Sequence, residues 1–206
     1  FLKTFVRFLT LFLIAVTLTG CSTSTPIPRV ENAQKLLQNQ HWKSARIQTE
    51  TFELWSATKS DKKTKTLTVY VEGDGHAWES PKQPSDDPTP IQPVGLELAL
   101  QDPSSDVAYL ARPCQYVGAE TSRNCSKAYW TYKRFAPEVI TSLNEAITQL
   151  KQRQHAQELI LVGFSGGGAV AALIAAQRKD VVKLITVAGN LDITAWVTYH
   201  RLTPLT

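Results

Sequence analysis

Short apolar runs alternate with amphipathic stretches along most of the chain. The runs that fit β-strands are residues 52–55, 67–71, 107–111, 159–162 and 182–188. Apolar residues recur at helical spacing over residues 94–100 and from Pro137 to Leu150, and a small-residue stretch follows at 169–176. Nearly continuous apolar strands separated by helices predict an α/β fold with a doubly wound, mostly parallel sheet. The polar residues 59–63 predict a turn that returns the first strand to the second.

The segments that follow the predicted strands hold most of the polar and aromatic residues of interest. They are residues 72–78, residues 112–130, Ser165 and residues 190–192. In an open parallel sheet, ligands bind at the carboxyl ends of the strands. The order of elements therefore predicts a site at this end of the sheet.

The pentapeptide Gly-Phe-Ser-Gly-Gly at 163–167 stands between a predicted strand and a predicted helix. This context is typical of a nucleophile elbow, in which a serine is exposed at a sharp strand-to-helix turn. Each glycine within a helix costs about 0.5–1 kcal/mol relative to alanine, and three glycines follow Ser165. Close backbone approach explains them better than helix stability does. We therefore predict Ser165 to be a nucleophile that a histidine activates.

Two other interpretations of this segment stay open. The pentapeptide also occurs by chance, and the spacing of Gly166, Gly168 and Ala171 fits the dinucleotide fingerprint G-x-G-x-x-A. That fingerprint requires an acidic residue at the end of the next strand, and residues 182–188 carry none. The nucleophile is favoured, and the sequence predicts neither a cofactor nor a metal site.

The first twenty residues have the charge order of a secretory signal. Lys3 and Arg7 precede an apolar stretch at 8–18, which is too short for a membrane span. The following Leu-Thr-Gly-Cys resembles a bacterial lipobox, which implies acylation of Cys21; an ordinary signal peptide is the alternative. Ser22 after this cysteine implies the outer membrane. We assign residues 21–44 to a tether and N-terminal segment, and residues 45–206 to one partial domain.

The charge and the remaining cysteines follow from export. The net charge is +4, of which the signal supplies two positive charges, so the exported part is only weakly basic and predicts no nucleic-acid partner. Cys114 and Cys125 would share an oxidising compartment, which predicts a disulfide stabilising the fold by about 3 kcal/mol. Free thiols or a metal pair are the alternatives, and no further cysteine or clustered histidine would complete a metal site.

At this level of detail the chain resembles the α/β-hydrolase superfamily and, more closely, bacterial lipoproteins of that superfamily. The resemblance covers most of residues 45–200 and is carried by residues 71–76, 87–90, 112–116, 130–135, 163–167 and 187–192. It implies a serine hydrolase of the bacterial cell envelope, lipid-anchored at the outer membrane and facing the periplasm. Its substrate would be a small molecule with an ester or related acyl bond. A noncatalytic lipoprotein that binds or structures the envelope is the alternative.

The resemblance also implies an oxyanion hole. The backbone N–H of Gly166 would be one donor, and the loop after residues 67–71 would supply the second. Asp74, Gly75 and His76 are the open candidates for that second donor, and a glycine turn without a donor role is the alternative. Three tryptophans near this end of the sheet would either wall an acyl pocket or serve packing alone: Trp78, Trp130 and Trp196.

The remaining members of a catalytic triad are not evident. In this superfamily the acid and then the histidine follow the serine. None of the four histidines, His41, His76, His155 and His200, has a suitable place. Asp192 is a secondary candidate for the acid, and an N-cap is the alternative role. Because the chain begins with Phe and lacks the expected last strands, we expect the acid and histidine beyond Thr206, an inactive fragment, and residues 182–188 as an exposed sheet edge.

Overall fold

The computed structural model describes residues 28–60, 64–119, 121–201 and 204–205. The predicted signal, Cys21 with its predicted acylation, and residues 22–27 lie outside these described residues. Within the described ranges, no helix combines the length and the apolar character needed to cross a membrane.

A six-stranded sheet forms the centre of the fold. Its strands are β1 (Lys43–Gln48), β2 (Glu53–Ser60), β3 (Thr66–Val71), β6 (Asp106–Leu110), β7 (Glu158–Phe164) and β8 (Val181–Val187). The order across the sheet is β1-β2-β6-β3-β7-β8. The last four strands in this order are parallel, whereas β1 pairs antiparallel with β2, and β2 pairs antiparallel with β6. A small hairpin of β4 (Trp78–Ser80) and β5 (Gln83–Pro84) lies in the loop after β3. The mostly parallel α/β sheet is confirmed.

Helices cover both faces of this sheet, as a doubly wound fold requires. They are α1 (Arg29–Gln38), α2 (Val94–Gln101), α3 (Pro137–Gln154), α4 (Gly166–Ala175) and α5 (Ile193–His200), with a 3-10 turn at Lys127–Trp130. Apolar residues of α3 and α4 pack in one cluster, and those of α1 and α2 pack in another. Neighbouring residues of β6 alternate between the two: Ala108 lies in the first cluster and Tyr109 in the second. Alternate strand residues point to opposite faces, so the sheet separates two cores.

The predicted hairpin between the second and third strands is wrong. The strand β6 lies between β2 and β3, and it pairs antiparallel with β2 and parallel with β3. All five residues of β6 are buried, so this strand needs a neighbour on each side and cannot lie at an edge. The strands β2 and β3 are close in sequence but not adjacent in the sheet.

The N-terminal part of the fold begins before residue 45. The strand β1 has a single buried side chain, Ile47, which is why its polar sequence did not indicate a strand. The helix α1 lies within the segment that we assigned to the tether, yet Ala33 and Leu37 are almost fully buried in the core. The sheet ends at β8, and residues such as Val182 (57% exposed) confirm the predicted exposed edge.

Candidate active site

Ser165 occupies a sharp turn between the end of β7 and the start of α4. Its φ of 51° and ψ of −122° lie outside the regions that a residue with a side chain prefers. Such a conformation costs about 1–3 kcal/mol and persists only where the surroundings impose it. The amide of Ser165 donates to Val187 O at 2.8 Å, and its carbonyl accepts from Gly168 N at 2.9 Å. The backbone is thus fixed from both sides, and the side chain is half-exposed.

The glycines of the pentapeptide have a steric reason. A Cβ on Gly163 would lie 2.3 Å from Gly167 O, and a Cβ on Gly167 would lie 2.4 Å from Glu72 O. A Cβ on Gly166 would lie 2.2 Å from Asp74 Oδ1. These distances are far below van der Waals contact, so the strand, the helix and the loop after β3 approach each other too closely for any side chain. The predicted close backbone approach is confirmed.

The loop at residues 72–76, which we call the β3 loop, packs directly against the serine. A Cβ on Gly73 would lie 3.4 Å from Ser165 Cβ. The amide of His76 donates to Pro88 O at 3.0 Å and is therefore engaged elsewhere. This corrects the inclusion of His76 among the second oxyanion donors, and Asp74 and Gly75 remain candidates.

Glu72 anchors the base of the β3 loop from inside the protein. Its Oε1 accepts from the amides of Gly73 at 2.9 Å and Gly95 at 3.1 Å, and its Oε2 accepts from Leu96 N at 3.3 Å and Tyr109 Oη at 2.9 Å. Burial raises the pKa of this carboxyl group, and the four hydrogen bonds offset part of that rise. The carboxyl group joins the β3 loop to the start of α2 and to β6. Sequence analysis missed this role, although an acidic residue directly after an apolar strand was a visible signal.

Asp74 is held between two buried arginines. Its Oδ1 lies 3.3 Å from Arg112 Nη1, and its Oδ2 lies 3.3 Å from Arg134 Nε. The side chains of Arg112 and Arg134 are only 5% and 6% exposed. Burial lowers the pKa of Arg112, and the charge of Asp74 opposes that effect. Both guanidinium groups also lie over the ring of Phe135, at 5.6 and 5.5 Å from its centroid.

The disulfide-bonded loop is a third contact that holds the β3 loop, in addition to those of Glu72 and Asp74. Cys114 and Cys125 form the predicted disulfide, with their Cα atoms 5.6 Å apart. Next to this bridge, Gln115 Oε1 accepts from Arg112 N at 3.0 Å, and Gln115 Nε2 donates to Gly73 O at 3.1 Å. The covalent bridge therefore stiffens a turn that positions the residue beside Ser165.

Two cavities border the β3 loop. The smaller one, of about 250 Å³, is lined by Ser165 and Phe164, and the larger one has about 660 Å³. Both are lined by Asp74, Gly75 and His76.

The three tryptophans differ in their surroundings. Trp78 and Trp196 line the larger cavity. Trp130 is buried and donates from Nε1 to Ser85 O at 3.1 Å, so its role is packing.

The histidines serve other contacts. His76 Nε2 lies 3.0 Å from Glu79 Oε1, and the ring of His200 packs on Trp196 with centroids 4.7 Å apart. His155 ends α3 in the left-handed conformation, and His41 has a positive φ in the turn after α1. Among the described residues, no hydrogen bond or ion pair joins a histidine to Ser165.

Asp192 caps the helix α5. Its Oδ1 accepts from Ala195 N at 2.8 Å, which confirms the alternative role of an N-cap. The role of catalytic acid stays a prediction.

The two roles of Asp192 separate in a pair of variants. Asp192→Asn keeps a capping oxygen, so we expect it to unfold at the wild-type temperature. Asp192→Ala removes that oxygen and should lower the free energy of unfolding by about 1 kcal/mol. Thermal unfolding followed by circular dichroism measures both. Equal stability of Asp192→Ala and wild type would contradict the cap. A hundredfold loss of hydrolysis in Asp192→Asn at unchanged stability would assign the acid role instead.

Comparison with solved structures identifies the fold. The esterase Pf2001 of Pyrococcus furiosus aligns with a TM-score of 0.53 and 16% identity, over 88% of this chain and 60% of the esterase. A second crystal form gives 0.50 and 19%, over 78% and 56%. A candidate lipase of Acinetobacter baumannii AYE gives 0.50 and 13%, over 86% and 55%. No protein-family model and no curated protein matches the sequence.

These similarities, together with the strand order and the turn at Ser165, show that the chain has the α/β-hydrolase fold. The predicted fold class is therefore confirmed. The chain spans less than two thirds of the length of each of these solved proteins.

Proposed function

We propose that this chain belongs to a serine hydrolase that cleaves an ester or related acyl bond with Ser165 as nucleophile. The observation that carries the proposal is the strained backbone of Ser165, with φ 51° and ψ −122° at the junction of β7 and α4. Strained backbone conformations that the surrounding structure imposes cluster at active sites, and hydrogen bonds hold Ser165 on both sides. This conformation presents a hydroxyl group at the carboxyl end of the sheet, where such sheets bind ligands.

The chemistry would proceed in two steps. Ser165 Oγ attacks the acyl carbonyl carbon while its proton passes to a general base, and the leaving alcohol departs with a proton. Water then cleaves the acyl-enzyme and releases the acid. The negative oxygen of each tetrahedral intermediate would be stabilised by Gly166 N–H at the start of α4 and by an amide of Asp74 or Gly75. Losing one such donor typically raises the barrier by about 2.7–4 kcal/mol.

The proposed substrate class and the proposed cellular location of the protein are supported by different observations. The solved proteins of similar fold include an esterase and a candidate lipase, which supports a small-molecule acyl substrate. Anchoring rests on the sequence around Cys21, from which we propose attachment to the outer membrane on its periplasmic side. The weak positive charge offers no support for a nucleic-acid partner.

A noncatalytic role in the envelope is the second candidate. The observation that favours it is that, within the described part of the chain, no hydrogen bond or ion pair joins a histidine to Ser165. A binding protein could retain the turn after losing its base, whereas an enzyme requires one.

Labelling with a fluorophosphonate distinguishes the two functions. This reagent reacts with an activated serine, so we expect the natural full-length protein to be labelled and Ser165→Ala to remain at background. Ser104→Ala is the matched control, since Ser104 is exposed outside both cavities, and it should label like wild type. Equal labelling of wild type and Ser165→Ala would exclude Ser165 as the nucleophile. Absence of labelling in wild type would favour the noncatalytic protein.

A further inference from the structure

The larger cavity is lined by a buried guanidinium group whose hydrogen-bonding capacity is only partly used. The side chain of Arg134 is 6% exposed, and its Nη2 is buried without a hydrogen-bond partner. Its Nε pairs with Asp74 Oδ2 at 3.3 Å but lacks the alignment of a hydrogen bond. Buried polar groups in proteins are nearly always satisfied, and a charged donor is the most costly exception. Arg134 therefore calls for a further acceptor.

The charges around this cavity favour an anion as that acceptor. Asp74 is the one acid among the described residues that line it, and this carboxylate is shared by Arg134 and Arg112. Glu72 also attracts Arg112, but its oxygens already accept four hydrogen bonds. Arg201 adds another guanidinium group to the lining. Positive charge thus exceeds negative charge at the cavity wall.

The position of Arg134 relates this charge to the nucleophile. The Asp74 carboxylate contacts Gly166 on one side, where a Cβ would lie 2.2 Å from Oδ1, and Arg134 on the other. The carboxylate of Asp74 therefore lies between Arg134 and the start of α4, the helix that follows Ser165 in the chain. The cavity of about 660 Å³ has the size of a small-molecule site, and Trp78 and Trp196 give it apolar walls.

We infer that Arg134 binds an oxyanion of the substrate, a carboxylate or a phosphate group. A guanidinium group recognises both through paired N–H donors, and the ring of Trp196, 5.0 Å from the Arg134 Cζ, restrains its orientation. The substrate class is an ester that carries an anionic group a few bonds from the acyl carbonyl. This inference rests on the proposed function, because it places the scissile carbonyl at Ser165.

The test compares three 4-nitrophenyl esters of matched acyl length: hexanoate, mono-adipate and 6-phosphonohexanoate. We expect the full-length protein to favour at least one anionic ester over hexanoate by tenfold or more in kcat/KM. Comparison of the adipate with the phosphonohexanoate then shows whether the site prefers a carboxylate or a phosphate-like group. Arg134→Gln should lower that ratio at least tenfold, and Arg134→Lys should lower it less because the charge remains. Arg153→Gln, an exposed arginine on α3, makes the same change of charge away from the cavity and should keep the wild-type ratio.

A ratio is insensitive to a general loss of folded protein, so a purely structural role of Arg134 would lower all three rates together. An unchanged ratio in Arg134→Gln, or no anion preference in wild type, overturns the inference. Calorimetric titration of Ser165→Ala with monoethyl adipate and ethyl hexanoate gives a readout that needs no hydrolysis. Tighter binding of the adipate, lost in the double variant with Arg134→Gln, supports the inference even if labelling of Ser165 fails; equal binding overturns it.

Discussion

Gly163→Ala is expected to destabilise the protein by about 4 kcal/mol or more, beyond the range of most overpacking substitutions. The added methyl group would lie 2.3 Å from Gly167 O, 2.5 Å from Gly168 Cα and 2.6 Å from Gly167 C. All three atoms belong to the backbone of α4, so no side chain can rotate away to relieve the overlap. The helix would have to move off β7, and it packs against both β7 and β8. A loss of this size lowers the unfolding temperature of a domain of this length by roughly 10 °C, which calorimetry measures.

Gly73→Ala is the matched control for this substitution. Its Cβ would meet the side-chain atom Phe164 Cδ1 at 3.1 Å and Phe164 O at 3.3 Å, a displacement of a few tenths of an ångström rather than a backbone overlap. We expect a stability loss below half of that for Gly163→Ala. If both variants unfolded at the same temperature, or if Gly163→Ala matched wild type, close approach of strand and helix would not be the reason for Gly163.

The sharp turn between strand and helix at Ser165 could be predicted from the sequence for a physical reason. The close approach that requires glycine at Gly163 is to residues only four or five positions later in the chain. A short stretch of sequence is therefore enough to predict it. The same holds for Pro137, which opens α3, and for Asp192, which caps α5. Each of these residues suits the backbone geometry at the start of its helix. Because the first turns of most helices share this geometry, the residue type predicts the position.

The order of the strands in the sheet and the ion-pair partners of Asp74 could not be predicted from local sequence. Whether β2 pairs with β3 or with β6 depends on which strand is buried on both sides, and that is a property of the assembled sheet. The partners of Asp74 lie 38 and 60 positions away in the sequence, at Arg112 and Arg134. No spacing rule joins three loops across such separations. The arginines stood out only through a family resemblance.

The β3 loop combines both kinds of information. Its glycines reflect close approach to the elbow, whereas its two acids, Glu72 and Asp74, are fixed by distant donors. The loop has therefore little freedom: one acid ties it to α2 and β6, and the other ties it to two buried arginines. A rigid loop keeps its amides in place before a transition state forms, which is the requirement for an oxyanion hole.

Glu72→Ala is expected to be the most destabilising substitution of a polar residue near the site. It would leave three amides and the Tyr109 hydroxyl without their acceptor, and each buried donor without a partner costs about 1–3 kcal/mol. Glu72→Gln is the sharper variant because it keeps the volume. An NH₂ group at the Oε1 position would face the amides of Gly73 and Gly95, and one at the Oε2 position would face Leu96 N, so either orientation sets a side-chain donor against at least one backbone donor. We expect a loss of about 2–4 kcal/mol for Glu72→Gln, measured by urea unfolding.

The exposed Glu97 on α2 provides the control, and Glu97→Gln should stay within about 0.5 kcal/mol of wild type. The pH dependence gives a second readout. Because burial raises the pKa of Glu72 in the folded state, its proton stabilises the fold fully below the unfolded pKa of about 4.3, and this contribution is lost as pH rises through the folded pKa. The stability difference between wild type and Glu72→Gln should therefore narrow as pH increases from about 4. A difference that widens with pH would mean that the four donors outweigh burial and hold the carboxyl group ionised.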